Sequence, residues 1–486
     1  MHALSSKSLA RAAALLAIAL SVGAGSRSQA APDFSQLRKL YVASFGSDAS
    51  AVETRARLTD RLRRDPAIAI VDDAQQADAI VEGTAQVWVA GHFYTSPRSK
   101  SFRQDSYNGF LAVELVGKNG DTLWSYLVTP NRLSLNVARS LADETAGRLL
   151  DALRQVVGSG TVLSASSSPA VGSVKGAGAT FPAPLYQLWI QSFQRTHPQT
   201  HITYEAVGSE AGIERLREGQ ADFAASDMAL PDARLATFHC KVIEVPSVLG
   251  AVVPIYDLEN LDRDLNFTPE VLSGIYLGTI RKWNDPRITA SNRGAFLPDA
   301  DIVVVHRSDG SGTSFVWSDY LSKVSTQWKT SVGSGLSVRW PVGVGAEYNE
   351  GVAATVKKTP NSIGYVELIY AIQHQLNYGA VQNRVGRFIK ADLASVISAA
   401  ETSAPAQNSD LRVSITDPDR REAYPIASFT WLLVPDPIED SGKRSTLLAL
   451  VHWFLTSGQR QCSVLGYAPL PSGVAKRALQ ALGGTR

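Results

Sequence analysis

One stretch of the chain carries side chains suited to holding an anion: His306-Arg307-Ser308-Asp309-Gly310-Ser311-Gly312-Thr313-Ser314. The apolar run 302–305 before it reads as a buried strand, and 315–323 after it reads as a helix. A strand that turns through glycine into a helix leaves free backbone N–H groups at the turn, at the positive end of the helix dipole. Ser311 and Thr313 add hydroxyl donors, and Arg307 adds a planar, forked cation that suits a tetrahedral oxyanion. Asp309 stands two residues on, where it can hold that guanidinium. The same residues would also serve as the caps of a plain strand–turn–helix junction. His306 neighbours Arg307 on the strand, so the two side chains should face opposite ways.

Two more turns of this kind lie upstream. Gly176-Ala177-Gly178-Ala179-Thr180-Phe181-Pro182-Ala183-Pro184 leads from a strand into a helix over 185–195. Gly208-Ser209-Glu210-Ala211-Gly212 opens a helix over 213–218, with Ser209 read as its N-cap. The run 221–227 reads as a strand ending on the carboxylate of Asp227. The apolar run 242–254 can carry the chain into a second lobe, and 424–435 reads as the return crossing.

The elements ahead of these turns form a different unit. Residues 34–157 read as a small α/β domain, with strands at 40–45, 67–72 and 79–90 and a helix at 52–64. A hairpin, 107–117 and 122–129, turns at Lys118-Asn119-Gly120-Asp121, and a helix over 135–157 closes the domain. It holds no catalytic or metal constellation; Asp72, Asp73 and Asp78 fit a solvated strand end. Residues 158–173, with Ser164-Ala165-Ser166-Ser167-Ser168-Pro169, read as a flexible linker, so the domain is expected to be independent of the rest of the chain.

Of 486 residues, 44% are hydrophobic and 19% charged, an ordinary globular balance with room for about three domains. The formal net charge is only +2, and the first 30 residues carry Lys7, Arg11 and Arg27 with no acid. The remainder is therefore close to neutral, which gives no footprint for nucleic acid. Those first residues read as a secretory signal, residues 1–30, with an apolar core at 12–24 and Ser28-Gln29-Ala30 at the cleavage positions. Only Cys240 and Cys462 occur, a candidate disulfide in an oxidising compartment or two buried thiols.

In this order the segments are recognisable. Residues 176–184, Ala224-Ala225-Ser226-Asp227, Ile275-Tyr276-Leu277-Gly278, Lys282-Trp283-Asn284-Asp285, residues 307–315 and Ile363-Gly364-Tyr365-Val366 resemble the periplasmic phosphate-binding proteins of high-affinity phosphate ABC transporters. The resemblance covers about two thirds of the chain. It implies an α/β, two-lobed periplasmic-binding-protein fold of type II, preceded by the small α/β domain. Residues 174–253 plus 425–486 would form lobe 1 and residues 254–424 lobe 2. It implies a phosphate-binding set of Thr180, Phe181, Ser209 and Asp227 from lobe 1 and Arg307, Ser311, Gly312 and Thr313 from lobe 2, with Asp309 supporting Arg307. It also implies a periplasmic receptor that hands phosphate to membrane permease subunits, without catalysis, cofactor or metal. Cys240 and Cys462 would both lie in lobe 1. Glu210 stands where the family usually has a small residue, and it is expected to point outward. The N-terminal domain has no counterpart in the family, so its partner is open and a phosphate-responsive sensor or scaffold remains the alternative. A secreted phosphohydrolase is the less favoured third reading, because the chain has no nucleophile or metal motif to support it.

Overall fold

The computed structural model describes residue 34 and residues 37–94, 103–130, 136–154, 172–259, 261, 263–402 and 411–483. The signal at 1–30 and nearly all of the linker at 158–173 fall outside them. Gly172 already belongs to the next strand, so the linker ends earlier than the sequence suggests.

In the first unit the chain runs β1 (Lys39–Val42), α1 (Ala49–Arg63), β2 (Ala69–Ile70), β3 (Ala79–Tyr94), β4 (Arg103–Gly117), β5 (Thr122–Val128) and α2 (Val137–Arg154). The sheet order is β2-β1-β3-β4-β5. Asp48 starts α1 by accepting from Ala51 N at 3.0 Å. Gly120 takes φ +80° in the β4–β5 turn, as the Asn-Gly pair requires. Strand alternation sends Val81, Leu111, Val113 and Leu115 into a core with Leu58, Leu62, Leu141 and Leu149 of the two helices, all fully buried. The opposite sheet face carries Glu82, Phe110, Glu114, Ser125 and Leu127.

That face does not meet solvent alone. Phe110 and Leu127 pack against the core of the second unit, and Ser125 Oγ donates to Arg460 O at 2.5 Å. Each unit thus has its own core, yet the two are in contact, which the Ser-rich linker gave no reason to expect.

The second unit is built on one continuous curled sheet. Its strands are β6 (Gly172–Gly178), β7 (Thr200–Ala206), β8 (Phe223–Ser226), β9 (Lys241–Asp257), β10 (Val303–Arg307), β11 (Val344–Ala346), β12 (Ser362–Glu367), β13 (Asn377–Tyr378) and β14 (Ala427–Asp436). Their order is β11-β10-β12-β9-β14-β8-β6-β7, and β13 pairs with β9 on the edge opposite β12. β9 is shared by both halves: residues 241–251 pair with β14, and residues 252–257 pair with β12. The change of partner between Ala251 and Val252 marks the crossing from lobe 1 to lobe 2. Nearly all of β9 is buried on both faces, which explains why it is mostly apolar, with Glu244 and Ser247 the polar residues inside it.

The helices that matter for the cleft each follow a strand. They are α3 (Ala183–Thr196) after β6, α4 (Ser209–Arg217) after β7, α5 (Gly312–Val324) after β10 and α6 (Tyr348–Lys358) after β11. In lobe 1, Trp189 of α3 packs on Phe454 with ring centroids 4.6 Å apart. No described helix is long and apolar enough to cross a membrane.

Candidate functional site

The cleft is lined by the carboxyl ends of β6, β7, β8 and β10, where the following helices begin. β10 delivers Arg307 to the cleft buried, 2% exposed, and Asp309 grips it through both carboxylate oxygens: Nε to Oδ1 at 2.7 Å, and Nη2 to Oδ2. Asp309 Oδ1 also accepts from Tyr348 N at 3.0 Å. Tyr348 holds φ +64°, a left-handed backbone that non-glycine residues rarely adopt, directly beside the site. His306 turns away as expected: its ring stacks on Trp340 at 5.0 Å, and burial lowers its pKa.

Ser311 is the N-cap of α5, accepting from Ser314 N at 3.1 Å, so its hydroxyl hydrogen is left to donate elsewhere. Gly312 and Thr313 are the first helical residues, with their backbone N–H groups at the positive helix end. Arg307 Nη1 reaches Thr313 Oγ1 at 3.3 Å. These contacts gather Arg307, Asp309, Ser311, Gly312 and Thr313 into one pole of the cleft.

Lobe 1 answers from three strand ends. Ser209 Oγ accepts from Gly312 N at 3.1 Å, a bond that spans the cleft. Glu210 N likewise donates across it to Gly310 O at 3.1 Å. The N-cap of α4 is Gly208, with φ +88°, and Ser209 is the first helical residue, so the helix starts one residue earlier than an N-cap at Ser209 implies. Glu210 directs its carboxylate away from Arg307 and onto Arg234, with Nη1 to Oε2 at 3.1 Å. Thr180 and Phe181 sit at the start of α3, both buried; their carbonyls accept from Tyr370 Oη and Tyr467 Oη, each at 2.6 Å.

Asp227 is the chemically distinctive member. It is 1% exposed; Oδ1 accepts from Thr430 Oγ1 at 2.6 Å, while Oδ2 is buried without a hydrogen-bond partner. Burial pushes its carboxyl up to about 7, although the Thr430 hydrogen bond and the Arg307 charge pull the other way. A Cβ placed on Gly312 would lie 2.5 Å from both Asp227 Oδ2 and Ser209 Oγ, so only glycine allows the two lobes this approach.

Sequence reasoning missed Asn349 of α6. Its Nδ2 donates to Thr180 Oγ1 at 2.9 Å and to Thr313 Oγ1 at 3.1 Å, joining the lobes, while its Oδ1 accepts from Glu367 N at 3.0 Å. A neutral amide in a helix start carries no chemical signature of its own; only the fold reveals this role. Thr430, the partner of Asp227, was missed for the same reason.

The candidate disulfide between Cys240 and Cys462 is not formed; both are free thiols. Cys462 is fully buried in the 3-10 helix Ser457–Leu465, and its carbonyl accepts from Tyr467 N. The next residue, Ala468, pairs with Leu249 of β9, whereas Cys240 precedes the far end of that strand. Nine residues of strand separate the two regions by about 30 Å, several times what a disulfide can span. Among the described residues, no group of three or more His, Cys, Asp or Glu is placed to hold a metal ion.

Comparison with known proteins bears on the same part of the chain. A family model described as a PBP superfamily domain matches residues 163–457. The phosphate-binding protein PstS of Xylella fastidiosa (strain Temecula1) is 39% identical over 305 residues, covering 63% of this chain and 83% of that protein. The PstS of Pasteurella multocida is 38% identical over 306 residues, 63% of this chain and 88% of that protein. Among solved structures, a high-affinity periplasmic phosphate-binding protein (PfluDING) bound with phosphate matches with TM-score 0.51 and 21% identity, over 63% of this chain and 92% of its own. At that identity the likeness is one of fold. None of these three proteins matches the chain over its whole length.

Proposed function

The chain belongs to the PBP superfamily and, within it, to the family of the PstS phosphate-binding proteins, and on that premise we propose that it is an extracytoplasmic receptor that clasps inorganic phosphate between its lobes and delivers it to an ABC transporter. Its C-terminal unit has the two-lobed type II fold of that family. The carrying observation is the pairing of Arg307, buried and fixed by Asp309, with Asp227, buried and holding one carboxylate oxygen without a partner. A site with only cations would attract any small anion. A site that adds a carboxylate acceptor suits an anion that brings a proton.

Phosphate near neutral pH is HPO₄²⁻ or H₂PO₄⁻, and either can donate an O–H to Asp227. A charge-assisted bond of that kind is short and strong. Sulfate has no proton at the same pH, so its oxygen would face the carboxylate lone pairs with no hydrogen between them. Arg307, the hydroxyls of Ser209, Ser311 and Thr313, and the N–H groups at the starts of α3 and α5 supply attraction that both anions share. In this reading Thr180, Phe181, Ser209, Asp227, Arg307, Ser311, Gly312 and Thr313 are the ligand set, with Asp309 and Asn349 holding it in register. Delivery to a permease outside the cytoplasm requires export, which the basic start and apolar core of residues 1–30 support.

Calorimetric titration of the full chain with phosphate, sulfate and arsenate, alongside a chromogenic phosphate ester, tests the reading. A receptor binds phosphate and arsenate, discriminates against sulfate and releases no chromophore. Steady ester turnover would point to a hydrolase instead.

A further inference from the structure

We propose that the N-terminal unit is a brace: it docks on both lobes at once, behind the hinge, and thereby couples its own docking to closure of the cleft. The proposal rests on the phosphate reading of that cleft and adds a means of regulating it.

The first seat is on lobe 1. Ser125 Oγ donates to Arg460 O at 2.5 Å, and Gln461 Nε2 donates to Thr122 Oγ1 at 3.3 Å and to Ser192 Oγ of α3 at 3.1 Å. Leu127 approaches Gly466, which it shares as a neighbour with Leu368. Burial raises the carboxyls of Glu82, Glu114 and Asp121 above their ordinary values, and the charges of Arg195, on Glu82 and Glu114, and of Arg460, on Asp121, partly offset it. The second seat is on lobe 2. Thr129 Oγ1 and Tyr378 Oη are 3.1 Å apart, and Asn377 Nδ2 donates to Ala90 O at 3.3 Å.

The hinge lies between these seats. Tyr378 pairs with Ile255 of β9, beyond the crossing, whereas Ala468, just after the Arg460 helix, pairs with Leu249, before it. Six strand residues put the two points about 20 Å apart. The brace is a sheet of long strands paired from Ala79↔Gly117 to Tyr94↔Arg103, with one register shift between Val89 and Gly91 that leaves Ala90 out of the ladder. Such a sheet does not stretch to follow a rotation of one lobe against the other. Both seats are filled while Ser209, Glu210 and Asn349 also bond across the cleft. Opening the cleft would therefore vacate one seat, and docking favours the closed arrangement that holds the ligand. The interface mixes the apolar contacts of Phe110 and Leu127 with these polar ones, and its tether is Ser-rich, so docking can be reversible. Linkage then requires that phosphate strengthen docking by the same factor by which docking strengthens phosphate binding.

The test uses the full chain, inorganic phosphate, calorimetry and amide hydrogen exchange. Wild type should bind phosphate and show slower exchange over Thr122–Val128 when phosphate is added. Leu127→Asp, which puts a charge into the lobe 1 seat, should speed that exchange and weaken phosphate about 5- to 50-fold. Tyr378→Phe removes one hydroxyl from the lobe 2 seat and should weaken phosphate about 2- to 5-fold; Thr129→Val should do the same, and the double variant no more than either. An undocked Leu127→Asp chain with wild-type phosphate affinity overturns the coupling. Should that variant fail to fold, unchanged affinity in both Tyr378→Phe and Thr129→Val overturns it equally. A wild-type chain that binds no phosphate overturns the functional reading and the coupling together.

Discussion

The two lobes contribute to the cleft in different ways. Lobe 2 supplies its share from one unbroken stretch, Arg307 to Thr313, in which the strand end, the turn and the helix start are consecutive. Lobe 1 supplies single residues from three strand ends that lie far apart in sequence, Thr180, Ser209 and Asp227. The first arrangement concentrates positive potential; the second adds an acceptor and closes the site. On the proposed reading attraction and discrimination are therefore separable, and substitutions should separate them.

The largest effect is expected at the lobe 2 cation. Arg307→Ala should weaken phosphate and sulfate together, by about 10³-fold or more, because it removes the buried charge and leaves the Asp309 carboxylate without its counter-ion. Arg307→Lys should recover only part of this, since an ammonium cannot repeat the forked contact. Calorimetry with both anions reads the result; loss of phosphate alone would break the division between lobes.

Next comes the contact where the lobes meet. Gly312→Ala places a methyl group against Asp227 Oδ2 and Ser209 Oγ, so the cleft should fail to close. Phosphate affinity should fall about 10²-fold, with a melting temperature near that of wild type in the absence of ligand, because the clash belongs to closure and not to either lobe.

A third test concerns the lobe 1 carboxylate without any ligand. The folded state raises Asp227 to about 7, while the unfolded chain releases the same proton near its ordinary value of 3.8. The unfolded state therefore loses its proton first, and folding stability falls as pH rises from about 4 to about 7, then levels off. Asp227→Asn should abolish that slope and be the more stable form at pH 8, by at most about 4 kcal/mol. Denaturant melts at pH 4, 6 and 8 measure it; parallel wild-type and variant curves would show that burial leaves Asp227 ionised.

The smallest effect is expected from Glu210→Ala. Its carboxylate pairs with Arg234 on a partly exposed surface, a pair worth about 1 kcal/mol or less. Phosphate affinity should change less than about twofold, and a large gain in affinity would mean that Glu210 repels the ligand after all.

What the sequence disclosed follows the same division. A contiguous motif is legible, so Arg307, Asp309, Ser311, Gly312 and Thr313 could be read as one anion site before any fold was known. The long strand β9 was also legible, because most of its residues are apolar and the run is long enough to join two lobes. Partners brought together by folding were not. Nothing in the sequence marks Asn349 or Thr430, since a buried amide and a buried hydroxyl gain meaning only from what they touch. The disulfide expectation failed because pairing depends on distance, and two cysteines carry no record of it. The docked N-terminal unit was hidden by its linker: a flexible tether permits independence without requiring it.

The central claim is that lobe 1 discriminates and does so through Asp227. Titrating the wild-type chain and Asp227→Asn with phosphate and sulfate at pH 8, above the value of about 7 to which burial raises Asp227, tests it directly. The expected result is a strong wild-type preference for phosphate that narrows by about tenfold or more in the variant, about 1.4 kcal/mol or above, with only a modest loss of phosphate affinity. A preference that is the same in both chains, or a wild-type chain that binds the two anions alike, would contradict it.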